Sequence, residues 1–206
     1  MKEHILHSEI KRIYSAPGDR LEAKLGGYII DILRGGSVID VQTKNFSALK
    51  GKLLALIDTH PVRLVYPLPE SKWIAHETED GKVVSRRRSP KKGKVTDIFR
   101  ELVMIAEIVA NENFSLEIIF IDEEEVWRDD GRGSWRRRGA SIKERRLLRV
   151  NGRALFKDKE DYLRLLPDAL GKEFTNRELS ERARIPIWTS RQITYCLRKS
   201  GSVGLA

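Results

Sequence analysis

The feature that most constrains this chain is a pair of acidic residues set inside two apolar runs joined by Gly35-Gly36. Ile29, Ile30, Ile32 and Leu33 surround Asp31, and Val38, Ile39 and Val41 surround Asp40. Both runs suit buried strands, and the two glycines suit the turn of a hairpin that sets one strand beside the other. Because side chains alternate faces along a strand, Asp40, Gln42 and Lys44 are predicted to point the same way, with Asp31 alongside from the neighbouring strand. A carboxylate buried in such a setting is costly unless it is paired or bound to a cation. Two neighbouring carboxylates therefore call for positive charge. The plainer alternative is a simple turn at Gly35-Gly36 with Asp40 facing water at a strand edge.

Hard divalent cations prefer oxygen ligands, and water on such a cation becomes a usable nucleophile near neutral pH. Two acids with a nearby lysine are thus what a magnesium-dependent phosphodiesterase needs. The charge balance fits a polyanionic substrate. Lys and Arg number 39 against 30 Asp and Glu, for a formal net charge of +9 and a pI near 9.7, which favours nucleic acid as the partner. A membrane surface is the competing polyanion, but no apolar run approaches the roughly 20 residues of a membrane span. The first residues, Met1-Lys2-Glu3-His4, lead into no apolar signal core, so a cytoplasmic location is expected. Cys196 is the single cysteine, and the four histidines are scattered. An internal disulfide is excluded, and no zinc-site spacing is present.

An α/β chain is predicted, with 206 residues sufficing for one sizeable core and a small second domain. Leu6, Ile10 and Ile13 recur at helical spacing up to Pro17-Gly18. Leu21, Ala23 and Leu25 alternate with charged residues as a half-buried strand, followed by the Asp31 and Asp40 strands. Asn45 or Ser47 is a candidate cap for a helix burying Leu49, Leu53, Leu56 and Ile57. Short strands are predicted at 63–66 and 72–76, then a helix over 95–110 and a last core strand over 113–121, ended by the acidic run Asp122 to Glu125. The expected division is 1–123 as the catalytic-type domain, 124–165 as a basic loop and connecting segment, and 166–206 as a helical domain.

Two segments concentrate positive charge. Arg86, Arg87, Arg88, Lys91 and Lys92 lie in a stretch without hydrophobic periodicity, predicted to be an exposed loop that suits phosphates or is simply solvated. Arg132, Arg136, Arg137 and Arg138 flank Trp135 between glycines. Guanidinium groups bind phosphates through paired hydrogen bonds, and an indole offers a face for a base. The alternative is that Trp135 packs on the domain below. The C-terminal segment shows capping-box patterns at Thr175-Asn176-Arg177-Glu178 and Thr189-Ser190-Arg191-Gln192. Leu179, Ala183 and Ile185 face inward from the first helix, and Ile193, Leu197 and Tyr195 from the second. This pattern predicts a helix-turn-helix, a partial winged helix, presenting Arg191, Gln192 and Thr194 to a major groove. A helical hairpin used for packing or dimerisation is the alternative.

With Asp31, then Asp40-Val41-Gln42-Thr43-Lys44, in this order of elements, the stretch 1–121 resembles the PD-(D/E)XK nuclease superfamily, nearest its Mrr-type restriction and Holliday-junction resolvase branches. More widely, the chain resembles a bacterial family sharing the basic Trp135 loop and a winged-helix-like C-terminal segment, which implies no activity of its own. The superfamily resemblance implies a restriction-endonuclease-like αβββαβ core with a mixed central sheet flanked by helices. It implies magnesium, replaceable by manganese, held by Asp31 and Asp40 and a first-helix acid, Glu9 or Glu3. Gln42 stands where the superfamily usually has its lysine, so Lys44 or Lys52 is the expected cation. The function implied is DNA endonuclease activity in defence, restriction or repair, with a homodimer as one expectation for cutting both strands. The rivals are a non-catalytic DNA-binding protein on a degenerate nuclease core and, from the aromatic-arginine loop, an RNA-directed protein.

Overall fold

A computed structural model describes residues 5–78 and 80–204. In chain order the elements are α1 (Ile5–Tyr14), β1 (Arg20–Leu25), β2 (Tyr28–Arg34), β3 (Ser37–Val41), α2 (Lys50–Ile57), β4 (Val62–Glu77), β5 (Val83–Arg88), α3 (Phe99–Leu102), β6 (Phe114–Arg128), β7 (Ser141–Phe156), α4 (Lys159–Leu163), α5 (Asn176–Ala183) and α6 (Ile187–Lys199). The protein is α/β with a mixed seven-stranded sheet in the order β1-β2-β3-β4-β6-β7, with β5 pairing β4. β1, β2 and β3 form an antiparallel meander, and β3 runs parallel to β4. Among the described residues no helix is long and apolar enough to cross a membrane.

Two compact units interleave along the chain. One comprises the chain through Ala16, Pro67–Gly93 and Ile119–Arg153; the second comprises Pro17–Tyr66, Lys94–Ile118 and the chain from Ala154 onward. In the second unit, Gly35 and Gly36 have φ of 51° and 87°, the left-handed pair that a two-residue hairpin turn requires, and Arg34 pairs with Ser37 across it. Ile30, Ile32, Val38, Val41, Leu53, Leu56 and Leu64 are buried there. The apolar runs that predicted β2 and β3 are thus buried in large part, with Ile29 of β2 left exposed. β1 has less to bury, since Ala23 is its one buried residue and Leu21 is exposed.

Several expected elements are corrected. The strands predicted at 63–66 and 72–76 are one strand, β4, running through Pro67 and Pro69. Both prolines fall between the β3 pairing, which ends at Val65, and the β5 pairing, which begins at Trp73, where the missing N–H removes no bond to either. The helix expected over 95–110 is a succession of 3-10 turns around the four residues of α3, although Ile98, Leu102, Ile105 and Val109 are buried as predicted. Asn45 has a left-handed backbone and caps nothing with its side chain; a 3-10 turn over Phe46–Leu49 leads into α2.

In the first unit, 86–88 is not loop but the end of β5, whose Arg86, Arg87 and Arg88 pair with Ala75, Ile74 and Trp73 of β4. The acidic run does not end β6, which continues through it to Arg128. The segment expected to be a connector carries the long strand β7. Both errors have one cause. Glu123 and Glu125 are buried against Lys72, at 2.8 and 2.5 Å, and Glu125 also meets Arg145 at 3.2 Å. Charge from one strand compensates charge from the next, so the strands need no apolar alternation.

Candidate active site

β2 and β3 place Asp31 opposite Asp40, one step beyond the paired residues Ile32 and Ile39. There the carboxylates take over from the backbone ladder: the Asp31 N–H donates to Asp40 Oδ1 at 3.0 Å, and the Val41 N–H donates to Asp31 Oδ2 at 2.7 Å. Asp40 is 3% exposed, so the reading of it as an acid facing water is corrected. Burial pushes its carboxyl above the usual carboxylate range and the Asp31 charge adds to this, while Lys52 opposes it.

The cation at this site is Lys52, from the first turn of α2. Its Nζ donates to Asp40 Oδ2 at 2.5 Å and to the Ile29 carbonyl at 2.7 Å. An ammonium has three donors, so one remains for an anion beside Asp40. Lys44 is exposed instead. The expected common face of Asp40, Gln42 and Lys44 is lost because β3 ends at Val41, after which strand alternation no longer applies. The Gln42 backbone N–H reaches Val65 at 2.9 Å, and its side-chain amide donates to the Lys44 carbonyl at 2.5 Å, bracing the turn. Of the two first-helix acids, Glu9 stands in the other unit, where its carboxylate accepts the Leu147 N–H at 2.7 Å. Glu3 lies outside the described residues.

Among the described residues no group of three or more His, Cys, Asp and Glu side chains stands at metal-binding spacing. A cation held between β2 and β3 would have the two carboxylates as its acidic ligands, with neutral oxygen donors such as water completing its shell. That donor set fits magnesium, which takes one or two protein carboxylates and completes its shell with water and phosphate oxygens. It does not fit a site built on thiolate or imidazole. Cys196 is buried, and burial pushes its thiol up to about 12, which leaves it inert as a nucleophile.

The basic residues divide sharply. Arg86 pairs with Glu124 at 2.7 Å and stacks on Trp73, with 4.2 Å to the ring centroid. Arg88 donates to Ser71 at 2.5 Å, and Arg87 lies over Trp127 at 6.0 Å. Arg86, Arg87 and Arg88 are thus engaged within the first unit although they stay exposed, and Lys91 and Lys92 of the same segment are exposed as well. Arg132, Trp135, Arg136 and Arg138 are exposed, so Trp135 does not pack on the domain below. Arg137 turns inward to the Ala140 carbonyl at 3.0 Å.

In the second unit the capping box of α5 is present, with Thr175 accepting from the Glu178 N–H. The expected start of the last helix at Thr189 is corrected: α6 begins at Ile187 with Pro186 as its cap. Thr189 and Ser190 are buried within it, and Ser190 donates to the Asn176 carbonyl at 2.8 Å. Thr194 likewise turns to the Asn176 side chain at 2.7 Å, and Gln192 is half-buried. Arg191 is exposed, and Trp188 and Tyr195 accompany it on the exposed side, Tyr195 contrary to its expected burial. The spacing of 188, 191 and 195 along one helical face was a readable signal for this outer face.

Residues 4–157 match a family described as a domain of unknown function (DUF8091). A protein of Treponema pallidum (strain Nichols), described as an uncharacterized protein, is 32% identical over 206 residues, spanning 100% of this chain and 80% of the relative. No solved structure matches the chain. The family match covers most of the chain, so the chain belongs to the DUF8091 family.

Proposed function

We propose that the protein is a magnesium-dependent DNA endonuclease of the PD-(D/E)XK type. The observation that carries this reading is the cluster of Asp31, buried Asp40 and the Lys52 ammonium, gathered from β2, β3 and α2. The chain order helix, three strands, helix, strand, with an antiparallel meander and a parallel β3–β4 pair, supports it further. Asp31 and Asp40 would hold the ion, which when bound supplies positive charge against the phosphate and makes water more acidic. Lys52 directs its remaining N–H toward the scissile phosphate and offsets charge developing there. Its double anchorage on Asp40 and Ile29 holds it in position beforehand. Exposed Lys91, Lys92, Arg132, Arg136 and Arg138 in the first unit, and exposed Arg191 in the second, would each bind DNA phosphates, with binding that weakens steeply as salt rises. The α5–α6 pair acts as a DNA-contacting helix-turn-helix through Arg191 and its exposed neighbours.

Plasmid nicking in magnesium tests the proposal. Wild-type protein is expected to nick, and Asp40→Ala and Lys52→Ala to lose at least about 100-fold in rate. Equal nicking by wild type and Asp40→Ala sinks it. Calorimetric titration of the apo protein with magnesium is expected to reveal a site that Asp31→Asn abolishes.

A second reading, a non-catalytic DNA-binding protein on a degenerate core, is favoured by one feature. Both carboxylates already accept backbone N–H groups, and Lys52 already neutralises Asp40. DNA retention without magnesium, together with no magnesium heat in the titration, selects this reading.

A further inference from the structure

The loop between β6 and β7 presents an aromatic ring in a way its composition alone does not explain. Trp135 is 82% exposed, which leaves a large apolar face in water at the tip of a segment otherwise made of arginine, aspartate, glycine, serine and alanine. The loop is closed by its own backbone. The Gly133 N–H donates to the Gly139 carbonyl at 2.7 Å, Arg137 to Ser134 at 2.9 Å, Arg138 to Trp135 at 2.9 Å and Ala140 to Arg137 at 3.0 Å. Asp130 ties its base, accepting from the Arg132 N–H at 3.0 Å and the Ser141 hydroxyl at 2.7 Å. A Cβ on Gly133 would lie 1.7 Å from the Ala140 carbonyl oxygen, so the chain crosses itself where only glycine fits. The ring is therefore held outward by a built turn, with little ordering left to be lost on binding.

The surroundings select the ligand. Arg136 lies 5.5 Å from the Trp135 ring centroid, and Arg132 and Arg138 are exposed on either side. A solitary indole among cations, with no second large apolar side chain in the loop, complements a polyanion carrying flat rings. Within a duplex the bases cover one another's faces, and exposing one breaks its stacking and pairing. An unpaired base offers its face freely. We infer that Trp135 is a stacking platform for an unpaired base of single-stranded DNA, with Arg132, Arg136 and Arg138 on the neighbouring phosphates. This deepens the nuclease reading by naming a substrate with a single-stranded segment, and rests on that reading for the choice of DNA.

The test is binding of the full chain to labelled single-stranded DNA, the same strand as blunt duplex, and the same sequence as RNA, all in EDTA so that cleavage plays no part. Fluorescence anisotropy is expected to show Trp135→Ala weakening single-stranded DNA about tenfold and duplex less than about twofold, with Trp135→Phe recovering most of the loss. A 2-aminopurine placed in the single strand is expected to be quenched by wild type and not by Trp135→Ala. Equal loss on single strand and duplex, or no loss on either, overturns the inference. A loss confined to the RNA strand overturns the assignment of DNA. Because metal is withheld, failure of the catalytic proposal leaves these measurements unchanged and is read separately, from plasmid nicking.

Discussion

The Lys52 ammonium stands 2.5 Å from Oδ2 of Asp40, and the two side chains are 13% and 4% exposed. A charge pair so far out of water is held by its partner and by the hydrogen bonds around it: Asp40 Oδ1 takes the Asp31 N–H, and Lys52 also donates to Ile29. Such a pair need not add stability compared with apolar residues, but losing one member strands the other.

Lys52→Met is accordingly expected to destabilise the protein by about 3 kcal/mol at alkaline pH. Burial already raises the Asp40 carboxyl, and losing Lys52 raises it further. A carboxyl with a raised folded pKa favours folding when protonated, and that contribution is lost as pH rises through the folded value. The penalty of Lys52→Met is thus largest where Asp40 is ionised and shrinks as acid neutralises it. Urea unfolding at a series of pH values measures this; a penalty independent of pH excludes Asp40 as its source.

Lys72 plays the matching part in the first unit. Its ammonium lies 2.5 Å from Glu125 and 2.8 Å from Glu123, the latter an ionic contact without hydrogen-bond alignment. Burial works to raise the Glu125 carboxyl, but Lys72, the Trp127 indole N–H and Arg145 together outweigh it and hold the group below its usual range. A lowered folded pKa gives stability above the unfolded value that is lost as pH falls through the folded one. Lys72→Met is expected to cost about 3 kcal/mol at neutral pH. Adding Glu123→Gln and Glu125→Gln is expected to recover much of it in thermal melts, because the uncompensated charges are then gone. A triple variant no more stable than Lys72→Met contradicts the account.

Gly133→Ala forces apart two strands of the Trp135 turn, because the added methyl meets the Ala140 carbonyl carbon and oxygen at 2.1 and 1.7 Å. The loop is expected to open at a cost above about 2 kcal/mol. Trypsin, which cuts after arginine, reports it: cleavage within Arg136-Arg137-Arg138 should accelerate several-fold over wild type. Unchanged cleavage would mean that the self-crossing is not maintained in solution.

Thr175 accepts the Glu178 N–H at 3.2 Å, and Glu178 returns a carboxylate to the Thr175 N–H at 2.7 Å. Thr175→Ala should destabilise α5 by about 1 kcal/mol, whereas Thr175→Ser should be nearly silent. Amide exchange in the first turn of α5 distinguishes this local fraying from global unfolding.

Features written in neighbouring residues were legible in the chain itself. Gly35-Gly36 between two apolar runs implies a hairpin, and a hairpin obliges Asp31 to lie opposite Asp40. The spacing of Leu49, Leu53, Leu56 and Ile57 reports the buried side of α2, and Thr175 with Glu178 marks where α5 starts. Each is a short-range consequence of backbone geometry. What needed the tertiary structure was the pairing of charges distant in sequence. Lys52 rather than Lys44 reaches Asp40 because β3 stops at Val41 and α2 returns across it. Glu123 and Glu125 are buried because Lys72 and Arg145 arrive from other strands. A single segment cannot announce a partner that another segment supplies, so charged strands such as β5 and β7 read as loop until their counter-ions are in place.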